Sequence, residues 1–357
     1  MNVGERPSAG RWQLTPDYSI SRIINGGWQL SQGHGRHPID REAVIEALFE
    51  LQEAGFTTFD CADIYTGVEA LYGSFLRRYR ESSGDRELRG VQIHTKCVPD
   101  LEALPHLTRQ DVEAIIDRSL RRLGVERLDL VQFHWWDYQV PGYVDAAGWL
   151  AEMQRAGKIR LLGATNFDVP RLAEIAGAGI DLALLQVQYS LLDRRPDHGM
   201  VRFCTERGIH LLCYGSLAGG FLTAKYLGQA EPELVNRSLT KYRLVIEEAG
   251  GWSALQGLLQ SLAEVAARHR ADVANVASRW VLDLPQVAAT IVGARNADHL
   301  ASNRQVLELE LDDEDRGRIR SALRHLQPLA GDPFSVERIP GGPHQRIMKT
   351  GLNAKQV

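Results

Sequence analysis

The chain has 357 residues, 44% of them hydrophobic and 24% charged, which suits a packed globular protein and sets aside a disordered one. Its length fits one large α/β barrel or two ordinary domains. Forty-one basic and 45 acidic side chains leave a net charge of -4 with no basic tract, which argues against a nucleic-acid partner.

The four cysteines, Cys61, Cys97, Cys204 and Cys213, form neither a CxxC pair nor a secreted disulfide framework. No leader-like apolar stretch opens the chain, and no run approaches the roughly eighteen apolar residues of a membrane span. A soluble, cytoplasmic protein without a membrane partner is the expectation.

Eight short apolar runs read as strands in chain order: 22–28, 57–63, 91–98, 128–136, 159–165, 182–189, 210–216 and 287–294. Amphipathic stretches separate them at 39–54, 68–80, 109–123, 143–156, 168–177, 197–207, 252–283 in two pieces and 296–306. Thr108, and Asp168 with Pro170 behind it, are helix-start signals. One further helix, 311–326, begins with an acidic turn that suits the positive end of a helix dipole.

Eight alternating units predict a (β/α)8 TIM barrel over residues 1–331, closed by the extra C-terminal helix. The alternative, a doubly wound open sheet, lacks its GxGxxG turn after any strand. Residues 332–357 form a tail rich in Gly and Pro, expected to fold over the barrel mouth and shape substrate choice; the alternative is a disordered end.

Catalytic groups of such barrels stand at the carboxyl ends of the strands. Polar residues collect there in this chain: Asp60, Lys96, His134, Thr165, Asn166, Gln186, Tyr214 and Arg295. Alternation puts Thr58 with Asp60, His94 with Lys96, and Gln132 with His134 on faces looking into the barrel top. Each alone is more often a loop charge or a satisfied core residue, and the argument rests on the constellation. A buried Asp60 needs a cation, and Lys96 on the neighbouring strand is the candidate. Tyr65, in the loop above, would then lie beside an ammonium that lowers its pKa.

Cys61 and Cys97 alternate to the opposite face and read as wall residues. Asp63 finds no role. Trp28, Trp135 and Trp136 are candidates for an apolar substrate pocket, with core packing as the competing reading. His34 and His37 read as a solvated loop, since no third ligand stands near, and no metal site is expected.

These motifs resemble the aldo-keto reductase superfamily over nearly the whole chain up to about Asn303. The segments "GFTTFDCADIYTGVEALYG", "IHTKC" and "RLDLVQFHWWD" match its catalytic positions with Asp60, Tyr65, Lys96 and His134. "GKIRLLGATNF" and "LLQVQYSLLDR" place Thr165, Asn166 and Gln186 at the nicotinamide carboxamide. In "CYGSLAGGFLTAKY", Tyr214 would stack on the nicotinamide, with Gly215, Ser216, Leu217, Gly219 and Leu222 running beside the pyrophosphate. "TIVGARNADHLASN" resembles the adenosine-phosphate loop, with Gly293, Arg295, His299 and Asn303. Many members carry lysine and arginine where Gly293 and His299 stand, so Arg295 is the basic group left for a 2′-phosphate, as in microbial members with a "GAR" loop.

The resemblance implies reduction of an aldehyde or ketone by hydride transfer from NADP(H), with NAD(H) second. Tyr65 would donate the proton, Lys96 and Asp60 would tune it, and His134 would hydrogen-bond the carbonyl oxygen. The rival reading from another class is a non-catalytic NADP(H)-binding sensor on the same barrel; a metal-dependent hydrolase has no ligand cluster to support it. The expected partner is a small carbonyl or alcohol substrate, and oligomeric state is not legible.

Overall fold

The computed structural model describes residues 10–32, 39–84, 88, 90–234 and 237–353. His34 and His37 lie outside them. A hairpin of β1 (Arg11–Thr15) and β2 (Tyr18–Ser21) precedes eight parallel strands: β3 (Ile23–Gly26), β4 (Thr58–Asp60), β5 (Gln92–Cys97), β6 (Leu128–Phe133), β7 (Ile159–Thr165), β8 (Leu184–Gln188), β9 (His210–Tyr214) and β10 (Val287–Gly293). These close into one barrel in which β10 pairs with both β3 and β9. The fold is therefore the expected (β/α)8 barrel.

The helices are α1 (Arg41–Glu53), α2 (Val68–Ser83), α3 (Arg109–Leu123), α4 (Tyr143–Arg155), α5 (Val169–Gly177), α6 (Met200–Glu206), α7 (Arg237–Glu248), α8 (Gly251–His269), α9 (Val273–Leu282), α10 (Leu300–Glu308), α11 (Asp313–Leu323) and α12 (Pro343–Arg346). Thr108 and Asp111 form a capping box before α3, and Asp168 accepts the Arg171 N–H at 2.9 Å before α5. Each cap supplies an acceptor to a first-turn N–H that has no partner within its helix. Among the described residues no helix is long and apolar enough to cross a membrane.

Sequence reading missed the hairpin, α7 and the one-turn α12. The hairpin is short and half polar, yet its Leu14, Tyr18 and Ile20 plug the barrel floor against Ile24, Leu130, Leu184 and Leu212. Helix α7 buries only Tyr242, Val245 and Ile246, too narrow a stripe to stand out. The helix expected from residue 296 begins at Leu300.

Between the strands and the outer helices lies the main core, where Phe59, Phe75, Phe133 and Phe167 are fully buried. Cys61 and Cys97 belong to it, on the outward face of their strands. Helices α2 and α3 approach so closely that a Cβ on Gly73 would lie 2.1 Å from the Arg122 carbonyl oxygen. Backbone cannot retreat from that contact as a side chain can. Gly73→Ala should therefore lower the unfolding free energy in a urea titration by about 1–3 kcal/mol. Gly148→Ala on α4, where a Cβ meets nothing within 4 Å, should raise it by about 0.4–1 kcal/mol.

Candidate active site

Strand register builds the centre of the site. Asp60 pairs with His94, and two residues on along the same face stands Lys96, itself paired with Gln132. The shear of the barrel thus brings the ammonium onto the carboxylate. Lys96 Nζ donates to Asp60 Oδ2 and to the Cys61 carbonyl, both at 2.7 Å. The amides of Gln132 and Gln186 each donate to Asp60 Oδ1 at 2.8 Å. Asp60 is 3% exposed and Lys96 4%, so neither charge has much water to lean on. Removing two ions from water costs several kcal/mol each, which is recovered only when attraction and hydrogen bonds are nearly complete, as here. Burial pulls the Lys96 pKa down, but Asp60 and Tyr65 outweigh it and hold the ammonium above its ordinary value.

Tyr65 lies above the pair, with the ammonium 5.0 Å from its ring centroid. Its pKa moves opposite to the sequence-based expectation. Burial raises it, Lys96 lowers it by charge and hydrogen bond, Asp60 raises it, and the net is upward. Tyr65 is therefore a neutral phenol at physiological pH, with a cation waiting for the phenolate.

His134, at the exit of β6, has Nδ1 3.0 Å from the Thr165 carbonyl oxygen. Burial first, then the nearby Arg338 charge, lowers its pKa to about 4, so the ring is neutral. Because a carbonyl only accepts, Nδ1 carries the proton and Nε2 offers a lone pair. The expected bond from His134 to a substrate carbonyl oxygen is thus corrected: this tautomer accepts from a hydroxyl.

Aromatic rings frame the opening. Trp28, 37% exposed, meets Tyr65 edge-on at 4.9 Å, and Trp136 meets His134 edge-on at 4.5 Å. Trp135 does not join them: it is 1% exposed, packs beside Phe133 and Tyr143, and donates its indole N–H to the Asp137 and Val140 carbonyls. Strand alternation turns it outward when it turns Trp136 toward the mouth.

The residues expected along a cofactor groove follow the strand ends round the barrel. Asn166 sits at φ 60°, a left-handed conformation that Asn tolerates better than most residues, and its Oδ1 accepts the Tyr214 hydroxyl at 3.1 Å. Gln186 spends its amide on Asp60, so part of the role expected for it at the cofactor passes to the charge pair. The turn after β9 needs its glycines: at φ 70° and 67°, Gly215 and Gly219 press against Tyr242 of α7, where a Cβ would meet the hydroxyl oxygen at 2.3 Å and a ring carbon at 2.6 Å. Ser216 is buried and Leu217 half-buried. Leu222 is fully buried and its N–H donates to the Leu217 carbonyl at 3.1 Å, leaving it little to offer a ligand. Gly293 at the end of β10 is exposed, as are Arg295 and His299 beyond it, and Asn303 is buried within α10. A Cβ on Gly293 would lie 2.8 Å from Gln29 Oε1, so that side chain takes the space beside the strand end.

The tail supplies groups that no sequence signal marked. Arg338 donates to the carbonyls of Trp135 (2.9 Å), Trp136 (3.1 Å) and Asn166 (3.1 Å) and lies 4.1 Å over the Tyr138 ring. Glu337 pairs with Lys241 of α7 at 2.7 Å, and that ammonium is 5.2 Å from the Tyr214 ring centroid. The tail is thus held against the segments that follow β6 and β7 and against α7. Among the described residues, no three His, Cys, Asp or Glu side chains converge as a metal site requires.

The model of the Aldo/keto reductase family matches residues 22–324. The NADH-specific methylglyoxal reductase of Escherichia coli is 24% identical over 333 residues, covering 88% of this chain and 98% of the relative. The aldo-keto reductase YhdN of Bacillus subtilis is 27% identical over 332 residues, covering 89% and 93%. A thermostable aldo-keto reductase solved with the inhibitor epalrestat superposes with a TM-score of 0.68 at 25% identity, covering 87% of this chain and 99% of its own.

Breaking the central pair should be costly whatever the chemistry above it. Lys96→Met, which strands a buried carboxylate, should lower the unfolding free energy by about 3–5 kcal/mol, and adding Asp60→Asn should restore part of that loss. Chemical denaturation of the two variants decides it; a double variant as unstable as the sum of the singles would show the charges are uncoupled.

Proposed function

Since the chain belongs to the aldo/keto reductase family and is on that ground an oxidoreductase, we propose that it reduces an aldehyde or ketone to the alcohol with NADP(H), using Tyr65 as proton donor. The observation that carries this reading is the neutral Tyr65 phenol set beside an ammonium locked in place by Asp60. When bound, the reduced nicotinamide supplies a hydride to the carbonyl carbon. Tyr65 Oη gives its proton to the carbonyl oxygen, and the phenolate left behind is stabilised by Lys96. That stabilisation exists only once the proton has moved, so it favours the transition state over the ground state. Solvent then restores the proton. Neutral His134, with Nε2 free to accept, holds the hydroxyl of the alcohol.

The donor set suits the cofactor. A tight glycine turn follows Tyr214, an amide and a hydroxyl stand beside it at Asn166 and Ser216, and an exposed guanidinium precedes the N-terminus of α10. Arg295 carries the preference for a 2′-phosphate, to which a planar guanidinium is well matched. The Escherichia coli relative is NADH-specific, so the preference for NADP(H) rests on Arg295 alone. The tail shapes substrate choice.

Two kinetic outcomes follow. Tyr65→Phe should cut kcat by about 10²–10⁴-fold, and Asp60→Asn should lower kcat by more than it weakens cofactor binding measured by quenching of tryptophan fluorescence. Equal losses in kcat and binding for Asp60→Asn would make that residue merely structural, and binding without Tyr65-dependent turnover would identify a sensor. Arg295→Gln should raise the KM for NADPH about tenfold or more, the worth of a charge-assisted hydrogen bond, with a smaller change for NADH; equal changes would remove the NADP(H) preference.

A further inference from the structure

One buried carboxylate has no part in the proposed chemistry, and it meets the end of the described chain. Asp63 stands two residues before Tyr65, fully buried. Its Oδ2 accepts from the Val98 N–H at 3.2 Å and from Asn353 Nδ2 at 3.0 Å, and its Oδ1 has no hydrogen-bond partner among the described residues. The Asn353 amide is fully committed: Nδ2 also donates to the Val98 carbonyl at 2.6 Å, and Oδ1 accepts from Arg118. Asp100 Oδ1 accepts the backbone N–H groups of Leu352 (3.0 Å) and Asn353 (2.9 Å), and the Leu101 N–H donates to the Thr350 carbonyl at 3.0 Å. The strap's side of this anchoring, residues 350–353, lies beyond residue 324, where the family match ends, and its partners lie within the match.

What the anchor delivers is Leu352. It joins Tyr65 and Trp136 on a small apolar cluster of Ala62, Ile64 and Val98. Trp28 lies against the other side of Tyr65. Leu352 is thus brought by the strap onto the same apolar cluster that carries Tyr65 and Trp136.

We infer that Asn353, seated on Asp63, latches the C-terminal strap, and that the strap so held makes Leu352 a specificity-determining wall that admits compact carbonyl compounds to Tyr65 and turns away bulky ones. The size filter rests on the carbonyl-reduction reading; the latch does not. Around Asp63, burial and then Glu69 of α2 push its pKa up, while Asn353, the Val98 N–H and Arg118 of α3 pull it down, leaving it at about 7. Arg122 of α3 donates to the Asp63 backbone carbonyl at 3.2 Å, and the nearby Cys97 of β5 is a buried thiol held neutral. Of these influences the strap supplies Asn353, whose donated N–H favours the carboxylate against its burial.

The test uses the full chain. In Leu352→Ala and in Asn353→Ala, the ratio of kcat/KM for a two-ring aromatic aldehyde to that for a three-carbon aldehyde should rise about tenfold or more. Amide exchange, corrected for intrinsic rates, should show protection of residues 350–353 lost in Asn353→Ala. A substrate ratio within about twofold of wild type in both strap variants would overturn the filter, and protection of residues 350–353 left unchanged by Asn353→Ala would overturn the latch. Should the wild type turn over no carbonyl compound, the functional reading fails and exchange alone judges the latch.

Discussion

An ammonium and a carboxylate buried together at the top of a closed barrel set the terms for everything around them. Neither Lys96 nor Asp60 could stay ionised there alone, and the structure meets the cost with Gln132, Gln186 and the Cys61 carbonyl. That completeness makes Lys96 a fixed charge and not a mobile one. A fixed charge is what a neutral phenol needs if the phenolate is to be favoured only after the proton has left.

The balance at Tyr65 is a contest between burial and charge, and burial wins in the resting protein. The outcome has a direct chemical sense: a proton donor must hold its proton until a base stronger than water arrives. The same logic governs His134, which burial and Arg338 keep neutral beside the pair. Arg338 also satisfies three strand-end carbonyls. A residue of the tail therefore orders these carbonyls and adds to the burial that keeps a nearby ring neutral.

Much of this was legible in the chain as written. The alternation of eight apolar runs with amphipathic stretches is a long-range periodicity that tolerates local error, so the barrel emerged even though the hairpin and α7 did not. The pairing of Asp60 with Lys96 followed from a single rule about buried charge. What stayed hidden depends on distances that spacing does not encode. Gln186 turned out to serve Asp60 because the barrel brings β8 across from β4. Trp135 and Trp136 are neighbours in sequence, yet one is core and the other faces the mouth. Asp63 looked idle because its partner is 290 residues away. The sign of the Tyr65 shift needed the weight of burial, which no motif records.

The central claim is that Lys96, locked by Asp60, favours the ionised form of Tyr65 against a larger opposing effect of burial. It is tested most directly by ultraviolet difference titration of the Tyr65 phenol, isolated by subtracting the Tyr65→Phe spectrum, in the wild type and in Lys96→Met. The account predicts ionisation above the ordinary tyrosine value of about 10 in the wild type, and higher again without the ammonium. A titration at or below that ordinary value, or one that Lys96→Met leaves in place, would contradict it.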